Sequence, residues 1–165
     1  MTITLIDIKN ILLDFFTNYA IAVDYRFIYV DELLQQKDIK YPAVIFDLSG
    51  INISRGSTMY SIDVYVLDLI DKHDKANNYL DVISECERIF YDVIAYLRAA
   101  DIVINDNRES INCAPIYDVF NDDVISGIKT TIEIRAENTI NSCSIPLKSS
   151  PGVVLKEDGG SVLLE

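Results

Sequence analysis

Thr58-Met59-Tyr60-Ser61-Ile62-Asp63-Val64-Tyr65-Val66-Leu67-Asp68 decides the fold. Tyr60, Ile62, Val64 and Val66 alternate with Met59, Ser61, Asp63, Tyr65 and Leu67. Period-two alternation with one wholly apolar face and one mixed face is the pattern of a strand in a sheet covered on one side. A cover of matching chemistry follows. From Lys75 to Arg98, the residues Tyr79, Val82, Ile83, Cys86, Ile89, Phe90, Val93 and Leu97 hold the helical period. The spacing predicts a long helix whose stripe packs on the sheet through Val82, Cys86, Ile89, Phe90 and Val93. Asp74 stands at its N-cap position, and Arg98 suits the negative pole of its dipole.

Upstream, Tyr41-Pro42-Ala43-Val44-Ile45-Phe46-Asp47-Leu48 reads as a strand with Pro42 at its start or on an edge. Residues 49–57 hold Gly50, Gly56 and three serines and read as a loop, which would join 41–48 and 58–68 as an antiparallel pair. Arg26-Phe27-Ile28-Tyr29-Val30 is aromatic and β-branched and reads as a further strand, and residues 31–37 as one helical turn. Thr4 and Asp7 have capping-box spacing, followed by Leu5, Ile8, Leu12, Phe15 and Tyr19, which predicts an amphipathic helix over about residues 5–18.

Downstream, Ile111 to Phe120 reads as a strand interrupted by Pro115, and Asn121-Asp122-Asp123 as turn chemistry. Ile128, Thr130, Ile132, Ile134 and Ala136 alternate with polar residues as a long strand with one wet face. After Asn138 the composition shifts to serine and proline. Val153-Val154-Leu155-Lys156 and Ser161-Val162-Leu163-Leu164 then flank Glu157-Asp158-Gly159-Gly160 as a hairpin. The expected class is α+β: a small, mainly antiparallel sheet in the order α-β-β-β-α-β-β, covered by two helices. The expected domain covers residues 1–140, with a linker and C-terminal β-hairpin over 141–165.

The chain has 165 residues, half of them hydrophobic, which suits one packed domain. Its 26 acids against 14 bases give a net charge of −12. That balance argues against a general nucleic-acid binder and against docking on an anionic membrane. No apolar run approaches the roughly 20 residues of a membrane span, and residues 1–16 lack the basic start of a signal peptide. Cys86, Cys113 and Cys143 are widely spaced and odd in number, so they read as reduced, mostly buried thiols and not as a disulfide or zinc framework.

Residues that tempt a catalytic or ligand reading have plainer ones. His73, the only histidine, sits in the charged run Asp71-Lys72-His73-Asp74-Lys75, a solvated loop. Asp68, Asp71 and Asp74 lack the glycine and the distal glutamate of a calcium loop. Asp122 and Asp123 follow Asn121 as turn residues, and Gly50 to Ser57 lacks the lysine and following helix of a phosphate loop. Neither an enzyme nor a cofactor or metal site is expected.

The linear order, with Pro42-Ala43-Val44-Ile45-Phe46, Tyr60-Ser61-Ile62-Asp63-Val64-Tyr65-Val66-Leu67-Asp68 and the closing Asn138-Thr139-Ile140-Asn141-Ser142-Cys143, resembles the tail-terminator and neck (head–tail connector) proteins of tailed bacteriophages, including crAss-like phages. The resemblance covers about residues 1–145. It implies a structural virion protein, assembled in the host cytoplasm. Such a protein forms a homo-oligomeric ring of six- or twelve-fold symmetry, caps the tail tube and joins it to other neck and tail proteins. DNA would pass the lumen without specific binding. Residues 63–123 hold 14 acids against 5 bases, and carboxylates facing a bore repel phosphate. The expected protein-contact elements are the loops at 49–57 and 68–74, through Ile51, Ile53 and Arg55, and the C-terminal hairpin, through Val153, Val154, Leu155, Val162, Leu163 and Leu164. A non-viral acidic adaptor or binding module is the other class that the same layout accommodates.

Overall fold

Thr4 opens the first element. Its hydroxyl oxygen accepts from the Asp7 amide at 3.2 Å while Asp7 Oδ2 accepts from the Thr4 amide at 2.8 Å, so two donors that a helix start leaves orphaned are satisfied. Helix α1 spans Leu5–Asn18 and buries Ile8, Leu12, Phe15 and Phe16. The computed structural model describes residues 3–28, 38–71, 75–104, 110–120, 123–137, 153–155 and 161–163. The turn expected at 31–37, the cap at Asp74, His73 and the Asn121-Asp122 turn lie outside them.

Strand β1 (Asp24–Phe27) starts two residues earlier than the pattern suggested and pairs parallel to β2 (Ala43–Ser54). Tyr41-Pro42 is a cis peptide, and the Pro42 carbonyl accepts from the Asp24 amide at 3.0 Å just before β2 begins. β2 pairs antiparallel to β3 (Ser57–Leu69), and β3 to β6 (Asp123–Glu137) along its whole length. Helix α2 is Lys75–Ala99. Two strands share the far edge of β6. β5 (Ala114–Phe120) pairs with residues 123–129, and a two-residue β4 (Val103–Ile104) pairs with 134–135. The sheet order is β1-β2-β3-β6 with β4 and β5 beyond. The fold is α+β with a mainly antiparallel sheet and two helices, as the alternation and the helical stripe required.

Three further boundaries differ from the sequence reading. Residues 49–57 are not a loop: β2 runs to Ser54 and β3 begins at Ser57, leaving only Arg55-Gly56 as a turn. The strand expected from Ile111 begins at Ala114. The polar stretch after Ala99 holds β4, an element the composition hid. The C-terminal hairpin pairs Val153 with Leu163, Val154 with Val162 and Leu155 with Ser161, in a two-stranded sheet of its own (β7, Val153–Leu155; β8, Ser161–Leu163). Lys156 and Leu164 fall outside the described residues.

Both helices lie on one face. Val44, Phe46, Ile62, Val64, Val66, Ile132 and Ile134 meet the buried stripes of α1 and α2, among them Val82, Cys86, Ile89, Phe90, Val93 and Leu97. Each fully buried side chain of that size contributes about 1.5–3 kcal/mol. The opposite face holds a smaller cluster of Ile45, Leu67 and Ile125, flanked by Ile39, Tyr41 and Tyr65, beside a solvated polar stretch. Gly127 pairs with Leu67 between β3 and β6. A Cβ there would stand 1.9 Å from the Val66 carbonyl oxygen, so only glycine fits.

Candidate interaction surfaces

The projecting end of the sheet is built by one extra residue. The register between β2 and β3 shifts between Leu48 and Gly50, a bulge at Ser49. Without it, alternation would send Ile51 and Ile53 to the face opposite Leu48. With it, Ile51 pairs with Tyr60 and Ile53 with Thr58, so both stay on the face that carries Phe46 and Leu48. The helices do not reach that far, and Ile51 and Ile53 are 53% and 72% exposed. Gly56 closes the hairpin at φ +92°, a backbone region that glycine enters without strain. The Ser54 hydroxyl donates to the Ser57 carbonyl at 3.1 Å and holds the turn, with Arg55 exposed at its apex. β1 covers β2 only over Ala43–Phe46. From Leu48 to Ser54, β2 is therefore a sheet margin with no outer strand neighbour among the described residues.

A second surface lies on the other side of the molecule. Between the outer flank of α2 and the run that leads into β5 is a groove of about 620 Å³. Leu80, Ile83 and Tyr91 form one wall, Cys113 and Pro115 the other, and Glu87 stands among them. Leu80 and Tyr91 are 68% and 69% exposed. The strand-side wall is pinned by two hydroxyls: Thr130 Oγ1 donates to the Asn112 carbonyl at 2.8 Å and Ser126 Oγ to the Ile116 carbonyl at 2.9 Å. Both hydroxyls are buried on the sheet, and these bonds satisfy them.

The solvated face of the sheet holds a closed polar network. Asp63 accepts from Thr131 Oγ1 at 2.6 Å and Ser49 Oγ at 3.3 Å and faces Lys129 Nζ at 3.4 Å, while Lys129 stands 4.8 Å over the Tyr65 ring. Both carboxylate oxygens of Asp63 are engaged by structural partners, the arrangement of a surface scaffold. A depression of about 700 Å³ beside β1 is floored by Arg26, bonded to Asp24 at 2.8 Å and to Asp38. Burial pushes the Asp24 carboxyl up, but the Arg26 hydrogen bond and the Lys40 amide together hold it below the usual range.

The titratable groups near the core are tuned against reactivity. Burial, with Asp68 and Glu85 nearby, pushes the Cys86 thiol up to about 12, and a thiol that stays protonated at neutral pH is no nucleophile. Burial and Glu85 also raise Asp68, against the Leu69 amide that donates to it. Of the three thiols expected to be mostly buried, Cys86 is buried, Cys113 is exposed on the groove wall just before β5, and Cys143 lies outside the described residues. Among the described residues no three His, Cys, Asp or Glu side chains converge as a metal site. Among them, too, no helix is long and apolar enough to cross a membrane.

The structure brings Ile51, Ile53 and Arg55 together at one end of the sheet. Val153, Val154, Leu155, Val162 and Leu163 are brought together in the separate hairpin, and Leu164 lies outside the described residues. The groove was not anticipated. Its signal is a second stripe on α2: Leu80, Ile83, Tyr91 and Ile94 share a flank at helical spacing beside the main stripe. No family model matches this chain, and no curated protein matches it.

Proposed function

We propose that this chain is a ring-forming structural subunit of the head–tail interface of a tailed bacteriophage, which caps the tail tube and joins it to the connector. It is a virion component and not an enzyme. The observation that carries the reading is the margin of β2. Among the described residues Leu48–Ser54 has no outer strand neighbour; it carries two exposed isoleucines and leads to Arg55, and proteins cover such edges or use them for assembly. In a ring of six or twelve copies, each copy has a neighbour to cover it. The C-terminal hairpin is a second gripping element. A two-stranded hairpin is marginal alone, and this one finds its support on an adjacent subunit or another neck protein. The acids Asp81 and Glu85 lie exposed along α2, the kind of surface that lets DNA pass without holding it.

The experiment is a paired substitution, Ile51→Asp with Ile53→Asp, in the phage that carries the gene. Both positions are exposed, so circular dichroism and melting temperature should stay within a few degrees of the parent chain. Heads and tails should then accumulate unjoined. Normal tails on filled heads would contradict the reading.

A further inference from the structure

We propose that the β2–β3 tip of one copy seats in the groove between α2 and β5 of the next, so that a single heterologous contact repeated around the ring builds it. The inference rests on the ring reading and names the two surfaces that meet. The tip presents two apolar side chains and one charge: Ile51 and Ile53 are exposed, and Arg55 is the only charged residue of 49–57. The groove is lined mainly by apolar side chains, with Leu80 and Tyr91 exposed and Pro115 opposite them. It holds two charged residues, Glu87 and Arg98, which stand about 16 Å apart along α2, so Arg55 meets Glu87 at one end and stays clear of Arg98 at the other. A volume of about 620 Å³ is in the size class that receives several side chains. Arg55 complements Glu87 as the isoleucines complement Leu80 and Tyr91.

The two surfaces cannot meet within one chain. Ile53 pairs with Thr58, and Thr58 with Ala136, whereas Cys113 lies beside Thr130, one residue before the Ala114–Lys129 pair. Three strand spacings and six residues of β6 separate them, about 25 Å by ordinary strand dimensions. Two different patches on one rigid chain, each the complement of the other, make a head-to-tail contact, and such a contact closes into a ring when its rotation closes.

Cys113 supplies the test, because it is an exposed thiol in the groove wall. Ile53→Cys in the full chain carrying Cys143→Ser is oxidised and run on non-reducing gels. A disulfide needs Cα atoms within about 7 Å, so Ile53→Cys and Cys113 can join only between copies. The expected result is a ladder of dimers and higher species, lost with Cys113→Ser and at least fivefold weaker with Leu80→Asp. Arg55→Glu should weaken the ladder, and adding Glu87→Arg should restore it. No ladder, or one that persists in Cys113→Ser, overturns the contact. Chain that multimerises by light scattering with no Cys113-dependent ladder overturns the contact and leaves the ring reading standing. A Cys113-dependent ladder from a chain absent from phage particles upholds the contact and removes the phage ring.

Discussion

Tyr96 on α2 donates its hydroxyl hydrogen to Asp14 Oδ2 on α1 at 2.7 Å, and Tyr19, just past the end of α1, donates to Asp92 Oδ2 on α2 at 2.5 Å. The two bonds run in opposite senses, each helix receiving a tyrosine associated with the other. Between them the Phe15 and Tyr96 rings stand 5.0 Å apart. The helices therefore cover the sheet as one clamped layer, which fixes how far along the strands the cover reaches and leaves the Ile51–Ile53 end bare.

Tyr19→Phe removes one clamp. The loss should be about 0.5–1 kcal/mol at neutral pH, below the roughly 1.5–3 kcal/mol of a well-buried hydrogen bond to a charged group because water screens this partly exposed pair. Burial first, then the Asp92 hydrogen bond, push the Tyr19 hydroxyl from its ordinary 10 up to about 12. A raised acid favours the protonated folded form. Its contribution is complete below pH 10 and is lost as the pH rises from there through about 12. Urea titrations across that window should show the parent chain losing more stability than Tyr19→Phe; equal slopes would remove the clamp from the account.

Gly127→Ala and Gly50→Ala should separate sharply. The first drives a Cβ onto the Val66 carbonyl oxygen, which cannot move without opening β3 from β6. The second meets only Ser61 Cβ at 3.6 Å, an ordinary contact. We expect a cost of at least about 3 kcal/mol for Gly127→Ala and under about 1 kcal/mol for Gly50→Ala, read from denaturant midpoints.

Phe90→Ala tests the helix-on-sheet packing. Phe90 is 5% exposed within the main cluster, so its removal should cost about 3–5 kcal/mol. A cost below about 1 kcal/mol would mean that α2 does not pack through this stripe.

Thiol reactivity should divide in the same way. In the Cys143→Ser chain at pH 8, a thiol-specific reagent should modify Cys113 in the native state, more slowly than a free thiol because burial, with Glu87 nearby, raises it even as Thr130 lowers it. Cys86 should react only after denaturant is added. Early modification of Cys86 would show the core open at that point.

The sheet and its cover were legible because periodicity reports burial directly. The alternation through Ile62, Val64 and Val66 and the stripe through Cys86, Phe90 and Val93 each have a single low-energy way to hide their apolar side. The β2–β3 tip was illegible because its glycines and serines have loop composition, and the bulge at Ser49 breaks the alternation that Ile51 and Ile53 otherwise continue. The end of α2 carried no glycine either. Asp101 takes the left-handed position at φ +58°, its amide donating to Arg98 and that of Ile102 to Leu97, a glycine-type helix stop made with aspartate. The groove escaped because its two walls come from segments about 25 residues apart in the chain, and they come face to face through the pairing of β5 with β6, which the Thr130 and Ser126 hydroxyls reinforce.

A cryo-electron-microscopy reconstruction of the tailed particle whose genome encodes this chain tests the ring directly. The expected map holds a ring at the junction of head and tail into which the six-stranded sheet and its two helices fit, with the Ile51–Ile53 edge at the contact between neighbouring copies. A junction built wholly of other chains, with this one absent from the particle, would contradict it.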